Sequence, residues 1–127
     1  MEIEIMRNHI IREIDVIKED DDLREEIIFF LDNENVYSMF HYQDCCENVL
    51  IEDICGDLQD LIVTPLLDVY EESNRNEEGD FETFTWTFYH FRTIKGSVAI
   101  RWYGTSNGYY SESVDFDDAD GNMRYYE

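Results

Sequence analysis

From Phe81 to Phe116 the side chains obey a period of two, and little else in the chain constrains its fold so tightly. Phe84, Trp86 and Phe88 alternate with Thr83, Thr85 and Thr87. β-Branched and aromatic residues at alternate positions suit a pleated surface. Thr93-Ile94-Lys95-Gly96 reads as a turn. Val98, Ile100 and Trp102 then alternate with Ala99, Arg101 and Tyr103. Asn107-Gly108 is a favoured pair for a tight hairpin, because both positions accept positive φ. Tyr110, Glu112, Val114 and Phe116 continue on one side of a third strand. The pattern predicts an antiparallel meander, with Phe84, Trp86, Phe88, Trp102, Tyr109 and Tyr110 packing as core. Surplus tyrosines on the other face would suit a protein interface.

The first half reads as further strands. Ile14 and Val16 suggest one ending at Glu19-Asp20-Asp21-Asp22, with an amphipathic helix over 1–18 as the alternative. Ile27 to Leu31 and Val36 to Tyr42 suggest two more, and Val49, Ile51 and Ile54 extend the sheet. Asp57 to Ile62 reads as a short helix, capped by Asp57 and stopped by Pro65. Leu66 to Glu72 is a return strand, and Ser73 to Asp80 an exposed loop. The predicted fold is α+β and mostly β: a single antiparallel sheet with one short helix. It forms one domain over residues 1–127, with residues 1–9 and 117–127 as its flexible ends.

Charge narrows the partners. The 127 residues hold 31 acidic and 9 basic side chains, a formal net charge of −22. No Lys or Arg falls between Arg24 and Arg75. Such a chain repels nucleic acid and anionic membranes and is attracted to basic surfaces. Its 43% hydrophobic and 15% aromatic content separates it from a disordered acidic tail. No apolar run approaches the roughly 18 residues needed to span a bilayer. Met1-Glu2-Ile3-Glu4-Ile5 lacks the pattern of a signal peptide. Three cysteines, two of them adjacent, make no disulfide framework. The expected location is the cytoplasm.

Two blocks resemble a small domain of unknown function that recurs in bacteriophages and prophages. One is His41-Tyr42-Gln43-Asp44-Cys45-Cys46-Glu47, running on through Ile51-Glu52-Asp53-Ile54 and Gly56-Asp57-Leu58 to Asp60-Leu61-Ile62. The other is Thr85-Trp86-Thr87-Phe88-Tyr89 with Thr93-Ile94-Lys95-Gly96, Ile100-Arg101-Trp102-Tyr103-Gly104 and Ser106-Asn107-Gly108-Tyr109-Tyr110-Ser111-Glu112-Ser113-Val114. Together they cover roughly residues 10–116. The resemblance implies a phage setting and no particular activity.

Several residues invite chemistry. His41, Cys45, Cys46 and Cys55 have the ligand types of a zinc site, but adjacent cysteines on a strand face opposite ways and no Cys-x-x-Cys pair exists. The simpler reading is packed thiols, with His41 satisfied by Asp44 or backbone. A thiol nucleophile at Cys45 is disfavoured by Asp44 and Glu47, whose charges raise a thiol pKa. Glu47, Glu52, Asp53, Asp57 and Asp60 fit no calcium-loop pattern, although a two-carboxylate pair distant in sequence stays open. The aromatic stripe lacks the positive charge of single-strand binders.

The expectation is therefore a non-enzymatic protein with no cofactor and no metal. It would be a phage-encoded inhibitor of a host defence factor, of anti-CRISPR or anti-restriction type, acting in the host cytoplasm. Its partner would be a basic host protein, a nuclease or CRISPR effector, gripped by carboxylates that mimic nucleic acid. Alternate strand residues lie about 6.8 Å apart on one face, near the spacing of successive phosphates. The candidate contacts are Asp20, Asp21, Asp22, Glu71, Glu72, Glu77, Glu78, Asp80, Asp117, Asp118 and Asp120, placed at expected turns and the tail. The alternative is an accessory phage structural or regulatory interaction domain without inhibitory activity.

Overall fold

A sheet with one apolar face needs a second layer to cover it, and without a long helix that layer must be another sheet. The computed structural model, which describes residues 2–19, 24–43, 46–78, 82–107 and 110–119, has this form. Strands β1 (Ile11–Glu19), β2 (Arg24–Leu31), β3 (Val36–Phe40) and β8 (Asp115–Asp118) make one antiparallel sheet in the order β1-β2-β3-β8. Strands β4 (Asn48–Cys55), β5 (Asp68–Glu78), β6 (Glu82–Thr93) and β7 (Gly96–Ser106) make the second, in the order β4-β7-β6-β5. The expected single sheet is thus two. The expected helix at Asp57–Ile62 is only a 3-10 turn, Leu58–Leu61. Asp57 does cap it, accepting from the Gln59 amide at 3.0 Å. So short a segment closes i→i+3 bonds more readily than it nucleates an α-helix.

The two inner faces meet in one core. Phe29 of β2 lies 5.7 Å from Phe91 of β6, centroid to centroid. The Trp102 indole of β7 donates to the Met39 sulfur of β3 at 3.2 Å. Ile27, Leu31, Val69, Tyr89, Val98 and Ile100 are buried with them. Near the N-terminus, a second 3-10 turn (Ile3–Met6) sends Ile3 and Met6 into the same core.

Three expectations about the second half change. First, β5 continues to Glu78, so most of the expected loop 73–80 is a strand, paired residue by residue with β6. Second, Glu112, Val114 and Phe116 are buried as their alternation suggests, but their segment does not pair with β7. Residues 110–114 carry no strand, and Phe116 pairs opposite Met39 in the other sheet. Periodicity fixes which side of a strand is apolar but says nothing about the neighbouring strand. Third, the threonines of β6 face inward and the aromatics outward. Thr83, Thr85 and Thr87 are buried, whereas Phe84, Trp86 and Phe88 are half-buried on the outer surface. Tyr89, Phe91 and Thr93 share the threonine parity and are all buried. An unbulged strand cannot change faces, so the Tyr89 and Phe91 end decides.

Candidate functional site

Between the inner edge of the second sheet and residues 110–114 runs a groove of about 470 Å³. Glu71, Ser73 and Arg75 of β5 line one wall, and Thr85 and Thr87 of β6 the floor. Tyr110 to Val114 close the other side. This segment can lie against the sheet because residue 104 is glycine: a Cβ there would come within 3.0 Å of the Glu112 carbonyl oxygen.

Glu112 anchors the groove. It is 5% exposed, yet its carboxylate accepts hydroxyl protons from Thr83, Thr85 and Ser106, the Thr85 bond measuring 2.7 Å. Burial alone would raise its pKa. The Ser106, Thr83 and Thr85 bonds, helped by Arg75, outweigh burial and hold the carboxyl below its ordinary value. Facing the same groove, Glu71 is pushed the other way, by desolvation first and then by Glu4 and Glu2. Divergent carboxyls can divide acid and base roles. Here, however, three of about four acceptor positions on Glu112 are already filled by protein hydroxyls. That makes it a structural node more than a reacting group.

A second node lies next to it. His41 is buried, with Nε2 at 2.7 Å from the Glu47 carboxylate and Nδ1 at 2.6 Å from the Ser113 carbonyl. A carbonyl oxygen only accepts, so Nδ1 carries a proton. The Gln43 amide reaches the Glu47 carbonyl at 2.5 Å. His41 is therefore satisfied by Glu47 and backbone; Asp44, its expected partner, lies outside the described residues. Ser113 follows Glu112, so both nodes clamp the strap that roofs the groove.

Among the described residues, the cysteines assemble no site. Cys55 is a free, exposed thiol, not a packed one, and donates to Asp53 at 3.3 Å. That bond and the Asp53 charge raise its pKa and suppress the thiolate. Cys46, read from the sequence as a packed thiol, is instead exposed and disulfide-bonded, and Cys45 lies outside the described residues. Among the described residues, no group of three or more His, Cys, Asp and Glu side chains is placed to hold a metal ion. Among the same residues, no helix is long and apolar enough to cross a membrane.

Among the described residues, the expected contact residues do not converge on one cluster. Glu71 faces the groove, while Glu72, its neighbour on the strand, points to the outer face and bonds His90 at 2.9 Å. Asp117 and Asp118 sit on β8, the edge strand of the other sheet, opposite Ser38 and Tyr37. Glu77 and Glu78 fall at the end of β5, opposite Thr83 and Glu82. Asp20, Asp21, Asp22, Asp80 and Asp120 lie outside the described residues.

What sequence reasoning missed is the outer face of the second sheet. Strand register arranges it in rows: Leu50–Tyr103–Trp86–Asn74, then Asp53–Arg101–Phe88–Glu72, then Cys55–Ala99–His90–Tyr70. Trp86 and Tyr103 lie 4.4 Å apart, and Tyr70 stacks on His90 at 4.6 Å. A bulge between Ile51 and Asp53 accompanies a double grip on Arg101, by Glu52 at 2.5 Å and Asp53 at 3.6 Å. The guanidinium sits 5.5 Å from the centre of the Trp86 ring. The missed signal was the parity of Tyr89 and Phe91.

No curated protein matches the chain, and no solved structure does. A family profile matches residues 4–116, spanning both motif blocks and both sheets. The chain belongs to the DUF7448 family, a domain of unknown function.

Proposed function

We propose that this protein is a non-enzymatic binding domain that captures a basic, nucleic-acid-handling protein and blocks its nucleic-acid site. In its concrete form it is a phage-encoded inhibitor of a host nuclease or CRISPR effector, working in the host cytoplasm. The observation that carries this reading is the net charge of −22 on a folded β scaffold. Exposed carboxylates lie on an edge strand of each sheet: Glu71 and Glu72 on β5, Asp118 on β8. Being exposed, these carboxylates lie within reach of Arg and Lys of a partner, in charge-assisted contacts that would otherwise go to phosphates. The phage setting is the one expected from the sequence blocks and is proposed together with the inhibitory role. The engagement of Glu112 by three hydroxyls and of His41 by Glu47 and backbone supports a non-catalytic role.

The test is a pull-down from host lysate, followed by affinity measurement on the recovered partner. Binding should compete with nucleic acid and weaken steeply between about 50 and 300 mM salt. The quadruple variant Glu71→Gln, Glu72→Gln, Asp117→Asn, Asp118→Asn should lose affinity by roughly tenfold or more, mainly through the association rate. A partner bound equally well at both salt concentrations, or equally by the variant, would refute it.

A further inference from the structure

We infer that the outer face of the β4-β7-β6-β5 sheet is a self-association surface whose occupant is a second copy of this chain. Three observations point there.

The first is composition. Trp86, Tyr103, Phe88 and Tyr70 with Arg101 are the residue types enriched at interfaces and in their hot spots. In this fold none of the four aromatics is needed in the core, which is built from the opposite parity. Tyr70 is 41% exposed, and the other three are half-buried only by one another and their strand neighbours.

The second is area. Four strands at about 4.8 Å spacing and about ten residues of length at about 3.3 Å give a face of roughly 600 Å². Two such faces bury about 1,200 Å², the lower bound for a specific dimer. Sheets also stack well on sheets, about 10 Å apart.

The third is charge. Two chains of −22 repel each other, so a second copy can approach only where negative charge is locally offset. On this face Arg101 pairs with Glu52 and Asp53, and Arg92 stands opposite Asp68, so the two arginines offset part of the charge of Glu52, Asp53, Asp68 and Glu72. A two-fold arrangement presents the same patch from both copies, so each residue counts twice.

This inference is independent of acidic capture, and its salt dependence has the opposite sign. Screening relieves the repulsion between copies, so the dimer should strengthen with salt whereas partner capture weakens. The experiment is sedimentation velocity on the full chain from about 1 to 200 μM, at about 20 and 500 mM salt. A monomer–dimer equilibrium should appear and shift toward dimer at high salt. Trp86→Ala and Tyr103→Ala should each weaken it by about 100-fold or more, since an isologous contact is lost twice. A second measurement uses no core or aromatic substitution. A nitroxide on Cys55 of unlabelled-isotope protein, mixed with ¹⁵N protein, should broaden amide signals of β4, β5, β6 and β7. A monomer at every concentration and salt overturns the inference. So does broadening confined to the other sheet, or a dimer that ignores both substitutions. A monomer whose outer-face signals shift instead with an oligosaccharide or a single-stranded oligonucleotide would assign the face to that ligand and equally refute self-association.

Discussion

Replacing Glu112 with Gln tests whether an ionised, buried carboxylate holds the groove together. Three hydroxyls donate to it. Bonds to a charged acceptor contribute about 1.5–3 kcal/mol each, against about 0.5–1.5 for neutral pairs. Losing the charge therefore costs about 3 kcal/mol over three bonds. Relief of the burial penalty returns about 1, leaving Glu112→Gln about 2 kcal/mol less stable at neutral pH. For a domain of this size that is a fall of about 8 °C in Tm. The pH dependence gives a sharper check. The carboxyl has a lowered pKa in the folded state. Its stabilisation is therefore complete above the unfolded value, near 4.5, and vanishes as pH falls through the folded one. Thermal melts by circular dichroism should show a wide gap between wild type and variant at pH 7 that stays open down to about pH 4.5 and closes only below it. Changes common to all other carboxylates cancel in this difference. Equal melting at pH 7, or a gap that persists unchanged into acid, would refute the assignment.

Two further outcomes follow from the same contacts. His41→Leu removes the His41 bond to the buried Glu47 carboxylate and should cost about 2–3 kcal/mol in denaturant unfolding, part of which His41→Leu with Glu47→Leu recovers. Tyr89 is buried with no hydrogen-bond partner for its hydroxyl among the described residues, so Tyr89→Phe should leave stability unchanged or raise it by up to about 1 kcal/mol; a loss above about 1 kcal/mol would mean the hydroxyl is bonded after all.

Much of the strand content was legible. Alternation located β6 and β7, and apolar runs located β2, β3 and β4. What sequence could not supply was pairing. Tyr110 to Phe116 alternates as a strand of the meander would, yet it leaves β7, because Glu112 is drawn to Thr83, Thr85 and Ser106. Phe116 then packs 5.4 Å from Tyr37 in the other sheet. The inverted face of β6 has a related cause. Counting Phe84, Trp86 and Phe88 against three threonines favours aromatics inside when the window is six residues long. Widened to the twelve of β6, it adds Tyr89 and Phe91 to the threonine side. The threonines are then at home inside, because a buried carboxylate needs their hydroxyls. The groove itself was illegible, since Glu71, Arg75 and Glu112 meet only through tertiary packing.

The two sequence blocks, His41 to Ile62 and Thr85 to Val114, have distinct physical roles. His41 and Glu47 of the first form one buried polar node, and Ser106 and Glu112 of the second form another; together they clamp the 110–114 strap. His41, Glu47 and Glu112, residue types that look catalytic in the sequence, hold the strap in place. The two proposals rest on two surfaces among the described residues, the edge carboxylates and the outer aromatic rows. These make opposite demands on the solvent: carboxylate capture is strongest at low ionic strength, while contact between two like-charged copies is strongest at high. If both operate, salt shifts the protein between a monomer competent for a basic partner and a dimer that hides the aromatic face. Measuring dimer fraction and partner affinity on one preparation across one salt series separates the two, since no single electrostatic effect moves both in the same direction.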